Sequence, residues 1–116
     1  MGSRRWRDRA AVEAAVAALP AGTVVVSGGC RGVDRWAVEA ARRCGLAVAV
    51  HRPDLTGVRS RGEAAARYHK RNKRIVEDCQ RMIAFRASDA RGGTEDAIRR
   101  ARAAGIPVDL REETGR

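Results

Sequence analysis

Aromatic side chains are scarce in this chain, with Trp6, Trp36, Tyr68 and Phe85 making up the whole set. Single-stranded nucleic acid is held largely by stacking on exposed rings. Trp36 and Phe85 fall in apolar patterns that predict core positions, which leaves few platforms for that work. Lysine is scarcer still, since only Lys70 and Lys73 stand among 24 basic residues. The cysteines, Cys30, Cys44 and Cys79, are odd in number and widely spaced, which excludes both a disulfide framework and a paired-cysteine zinc site. They read as reduced thiols, with Cys44 and Cys79 packing as small hydrophobes and Cys30 open to solvent in a glycine loop. His51 and His69 have no carboxylate or cysteine at metal-ligand spacing, so no metal and no cofactor is expected. No apolar stretch approaches the ~20 residues of a membrane span, and no signal-peptide pattern is present. A cytoplasmic protein with no membrane partner is the expectation. At 116 residues, without repeats or linkers, residues 1–116 read as one domain.

What the chain has in excess is positive charge, a net +10. Residues 59–86 hold nine basic and three acidic residues, whereas residues 87–116 balance six against six. Within the basic segment Arg67, Arg71 and Arg74 share one helical face beside Tyr68 and His69. Such a stripe is a solvated face, a phosphate-binding fork centred on Arg71, or a contact to a nucleic-acid backbone.

Two periods alternate along the chain. Apolar runs of strand length occupy 23–27 (TVVVS), 46–50 (LAVAV), 81–85 (RMIAF) and 106–110 (IPVDL). Runs that are apolar throughout, rather than alternating, predict parallel strands covered on both faces. Helical periodicity falls between them, over about 8–19, 33–44, 63–79 and 94–104, with Gly45 and Gly105 as stops and Thr94 as N-cap of the last. Glu95 and Asp96 open that last helix and Arg99, Arg100 and Arg102 close it, which complements its dipole. The αβαβαβαβ order predicts an α/β, three-layer Rossmann-like domain with a mainly parallel sheet of four strands. Pro107 and Asp109 put the last strand at an edge.

In such sheets ligands bind at the carboxyl ends of the strands, where loops lead into helices. Residues 27–34 (SGGCRGVD) join the TVVVS strand to a helix. Gly28 and Gly29 permit close backbone approach, Gly32 permits tight helix packing, and Arg31 adds a cation, so the loop cradles an anion or only turns the chain. The spacing Gly29-x-x-Gly32 is half of a dinucleotide fingerprint, and no Walker A motif is present. A second loop, 88–97 (SDARGGTEDA), carries Gly92 and Gly93 before Thr94. Glu95 and Asp96 already occupy the positive end of that helix, so they disfavour phosphate there and suit ribose hydroxyls or a glycosidic bond.

The segments VVVSGGCRGVDRWAVEAA, YHKRNKRIVEDCQRMIAF and RGGTEDAIRRARAAGIPV together resemble the SLOG superfamily, and within it the small YspA-like members. The superfamily also includes the DNA-processing protein of natural transformation and the Lonely Guy phosphoribohydrolases. The resemblance implies a Rossmann-like domain that binds a nucleotide or nucleotide-derived small molecule. Ser27, Gly28, Gly29, Arg31 and Gly32 would line the site with Gly92, Gly93 and Thr94, and Arg71 with Asn72 would match the family's arginine-asparagine pair beside it. It also implies a homodimer or larger assembly and keeps nucleic acid open as a partner. Two departures stand out. The position of the Lonely Guy catalytic glutamate is Ala97 here, so phosphoribohydrolase activity would fall to Glu95 or Asp96. GSRRWRDR at 2–9 resembles the loop that follows the family's first strand, and that usual first strand has no counterpart ahead of it.

Overall fold

The β-branched run ahead of the first glycine loop forms a strand, and each helical pattern forms a helix. In the computed structural model, which describes residues 1–87 and 93–113, the order is α1 (Arg9–Ala17), β1 (Val24–Ser27), α2 (Val33–Arg43), β2 (Ala47–Val50), α3 (Arg61–Asp78), β3 (Met82–Arg86), α4 (Gly93–Ala103) and β4 (Val108–Glu112). Caps set several boundaries. The Asp8 side chain accepts the Ala11 N–H, and the Ser60 hydroxyl accepts the Glu63 N–H while Glu63 reaches back to the Arg59 N–H. Thr94, expected as the N-cap of α4, lies inside its first turn, because the helix already begins at Gly93.

The pairing is parallel throughout, as expected, but the strands divide between two sheets. β1 pairs with β2, Val24 opposite Ala47 through Ser27 opposite Val50. β3 pairs with β4, Met82 opposite Val108 through Arg86 opposite Glu112. Among the described residues the expected single sheet of four strands is seen as two pairs, because β1 and β3 share no ladder and a cavity lined by both lies between them. Gly2 forms a parallel bridge with Phe85, with Phe85 N–H donating to Met1 O (3.0 Å) and Ser3 N–H donating to Phe85 O (2.9 Å).

Three layers result. Met82 and Ala84 on one face of β3 pack with Val76 of α3 and Ala97, Ile98 and Ala101 of α4. Ile83 and Phe85 on the other face meet Trp6, Val12 and Ala15 around α1, together with Val33 and Trp36 of α2. A third cluster seats Val16, Ala40 and Ala41 against Val25 of β1 and Val48 of β2. Trp6 is buried and meets Phe85 edge to face at 5.2 Å, whereas Cys44 is exposed just past the end of α2 instead of packing as a small hydrophobe. The carboxyl ends of β1 and β3 open onto the loops that start α2 and α4, which positions the site described next.

Candidate functional site

The loop after β1 is built by glycine and tied down by two side chains. Gly29 has φ +70° and Gly32 φ +82°, conformations an L side chain adopts with strain. The Ser27 hydroxyl accepts the Gly29 N–H (3.1 Å), and the Asp34 carboxylate accepts the Cys30 N–H (3.3 Å). Gly32 is the N-cap of α2 and offers no side chain to it. Among the described residues, no hydrogen bond occupies the N–H groups of Arg31, Gly32 and Val33. An 11-residue helix therefore begins with open donors and the positive end of its dipole, beside an exposed Arg31.

Arg71 and Asn72, from the middle of α3, hold this loop against the start of α4. Arg71 is 5% exposed and Asn72 is fully buried. The Arg71 guanidinium donates to Gly28 O (2.8 Å), to Asn72 Oδ1 (3.0 Å) and to Cys30 Sγ (3.6 Å), and it lies 5.5 Å from the centre of the Tyr68 ring. Asn72 Nδ2 donates to Gly93 O and to Asp96 Oδ2, both at 3.1 Å. Asp96 in turn accepts from Arg99 (3.1 Å) and Arg100 (2.9 Å). Burial works to raise the Asp96 pKa, but the hydrogen bonds from Arg100 and Asn72 outweigh it and hold the carboxyl below its ordinary value of 3.8. Glu95 is engaged by the Arg86 guanidinium at 3.2 and 3.3 Å, and Arg86 also binds Glu112.

The structure thus brings Ser27, Gly28, Gly29, Arg31 and Gly32 into one loop, and joins that loop through Arg71 and Asn72 to Gly93, buried Thr94 and Asp96. Gly92 lies outside the described residues. The arginine stripe is divided: Arg74 is exposed, Arg67 bonds the Asp54 carbonyl at 2.6 Å, and Arg71 turns into the protein. Neither candidate catalytic carboxylate stands alone, since each is neutralised by arginine. Two further polar groups escaped the sequence reading. Asp34 Oδ1 and Ser3 Oγ are buried without a hydrogen-bond partner among the described residues, and the nearest cation to Asp34 Oδ1 is the Met1 ammonium at 3.9 Å. Asp34 had a signal in its place two residues after Gly32, where a first-turn carboxylate reads only as a complement to the dipole. Ser3 had none beyond its place in the GSRRWRDR segment.

The family model YAcAr, described as the YspA, cpYpsA-related SLOG family, matches residues 1–57. This match supports membership of the SLOG superfamily. The matched span runs from the Met1–Ser3 bridge through α1, β1, the glycine loop, α2 and β2, while Arg71, Asn72 and the start of α4 lie beyond it. No curated protein and no solved structure matches the chain. Among the described residues no helix is long and apolar enough to cross a membrane.

Proposed function

We propose that this SLOG domain binds a nucleotide or nucleotide-derived small molecule, with a phosphate at the start of α2. The observation that carries the reading is the run of open N–H groups at Arg31, Gly32 and Val33 on a helix with no side-chain cap. Backbone donors and the dipole together favour an anion there, and the exposed Arg31 adds a mobile cation.

Binding without hydrolysis is the better-supported form of this reading. A general acid needs a pKa near the working pH. Asp96 is held ionised by Arg100 and Asn72, and Glu95 is already paired with Arg86. In this reading Arg71 acts as a clamp: its bonds to Gly28 O, Cys30 Sγ and Asn72 Oδ1 fix the loop from below while the phosphate meets backbone donors above.

Thermal-shift measurements across nucleoside mono-, di- and triphosphates, cyclic dinucleotides and ADP-ribose derivatives test it. A ligand at a hundred times its Kd stabilises the folded state by ~2.7 kcal/mol, which corresponds to a rise of about 10 °C for a domain of this size. No shift with any of these compounds at millimolar concentration overturns the reading.

A further inference from the structure

Arg52 belongs to no motif of the sequence, yet the fold lays it on the glycine loop. It stands two residues past the end of β2, and its Nη1 donates to Gly29 O (3.3 Å). A Cβ at Gly29 would lie 3.0 Å from that Nη1 and 3.1 Å from Cζ, so the guanidinium rests where glycine leaves room for it. Arg52 is exposed, and a guanidinium carries five N–H donors, so most of its fork remains open. Arg31 rises from the same loop two residues past Gly29, and Arg35 stands in the first turn of α2; both are exposed.

None of these three arginines has a carboxylate partner among the described residues, whereas Arg9, Arg43, Arg67, Arg99 and Arg111 each pair with an acid. The buried charges nearby offset each other, since a Cβ at Gly28 would lie 2.6 Å from Arg71 Nη1 and 3.0 Å from Asp34 Oδ2, which brings that cation and that anion close to one point. The opposite end of the strands has no such cluster. The turns leading into β1, β2 and β4, at 18–23, 44–46 and 104–107, contain no charged residue, and the turn before β3 carries Arg81 alone. A phosphomonoester brings about −1.5 to −2 charge at pH 7, which three unpaired guanidinium groups exceed. One phosphate seated on the open N–H groups at Gly32 and Val33 also leaves Arg52, three residues back along the loop at Gly29, without an anion.

We propose that Arg31 and Arg52 bracket a second phosphoryl group, so that the ligand is a nucleotide with a chain of two or more phosphates and not a monophosphate; this rests on the phosphate site proposed at the start of α2. The first phosphate takes the backbone donors of Gly32 and Val33. The next one in the chain lies over Gly29, where the planar fork of Arg52 meets it from the β2 side and Arg31 from the α2 side. Arg35 adds to the positive field that draws the chain in.

Chemical-shift titrations at constant ionic strength test the proposal, with inorganic phosphate set against diphosphate and AMP against ADP; the inorganic pair reads the bracket whatever the base. The expected result is that diphosphate and ADP bind about tenfold more tightly than phosphate and AMP, and that they move the Arg52 Nε–H resonance together with the Gly32 and Val33 amides. Arg52→Ala should cut that preference to below about threefold. Arg42→Ala, which removes the same charge from the exposed last turn of α2, should leave the preference in place. Equal affinity for phosphate and diphosphate, or an equal loss in Arg42→Ala, overturns the bracket and leaves the phosphate site at α2 standing. Unmoved Gly32 and Val33 amides with all four compounds at millimolar concentration overturn that site and the bracket with it.

Discussion

Replacing Asn72 with leucine keeps the side-chain volume and removes the group that ties α3 to the start of α4. Asn72 is fully buried and makes three bonds: it accepts from Arg71 Nε, and it donates to Gly93 O and Asp96 Oδ2. Two of the partners are charged, at about 1.5–3 kcal/mol each, and one is neutral, at about 1 kcal/mol. The gross loss is therefore about 4–7 kcal/mol. Burying leucine in place of the amide returns about 1.5–3 kcal/mol. A net destabilisation of about 3 kcal/mol follows, a large share of the ~5–15 kcal/mol that holds a domain together. Urea unfolding followed by circular dichroism measures it, with the m-value as the check that the transition stays two-state. Combining Asn72→Leu with Asp96→Asn should cost less than the sum of the two single changes, because they share a bond. A loss below about 1 kcal/mol in Asn72→Leu would refute the reasoning, since each of the two charged partners loses a bond worth at least that much.

Gly28→Ala puts a Cβ 2.6 Å from Arg71 Nη1 and 2.9 Å from its Cζ; the buried guanidinium has little room to yield, so calorimetry should show a loss of about 1–3 kcal/mol, and an unchanged Tm would remove the clamp from the account. Asp96 has a folded pKa below its ordinary 3.8, so its contribution is present above that pH and is lost as pH falls through the folded value. Asp96→Asn should consequently be less stable than the parent at pH 7, with the gap closing below about pH 3.8; a gap that widens in acid would contradict the assigned direction.

Much of the fold was legible because its signals are local. TVVVS is a run of β-branched and small residues that has no good alternative to a strand, and Gly29 and Gly32 take up the positive φ that only glycine adopts freely. The resemblance sets Arg71 and Asn72 beside the glycine loop; in the structure Arg71 bonds Gly28 O, and Asn72 bonds Gly93 O and Asp96 at the start of α4. The inward turn of Arg71 was not legible. Its spacing from Arg67 and Arg74 reads as one cationic face, and only the packing of α3 against Gly28 and Cys30 takes it out of solvent. The division into two sheets was not legible, because which strands share a ladder is a matter of non-local pairing, which sequence periodicity does not carry. Cys44, expected to pack as a small hydrophobe, is exposed because α2 ends at Arg43 and Cys44 stands at its C-cap.

The central claim is that a nucleotide sits where the glycine loop opens α2, and nitrogen-proton correlation spectra of the 12.6 kDa protein during titration with the nucleotide that stabilises it best test that claim most directly. The expected result is a set of saturable amide shifts concentrated at Gly28 to Val33 and at Gly93 to Glu95, largest at Gly32 and Val33, with Arg31→Ala weakening binding about tenfold and leaving the unliganded spectrum otherwise unchanged. Saturable shifts confined to the exposed face of α3, with the α2 amides unmoved, would contradict it.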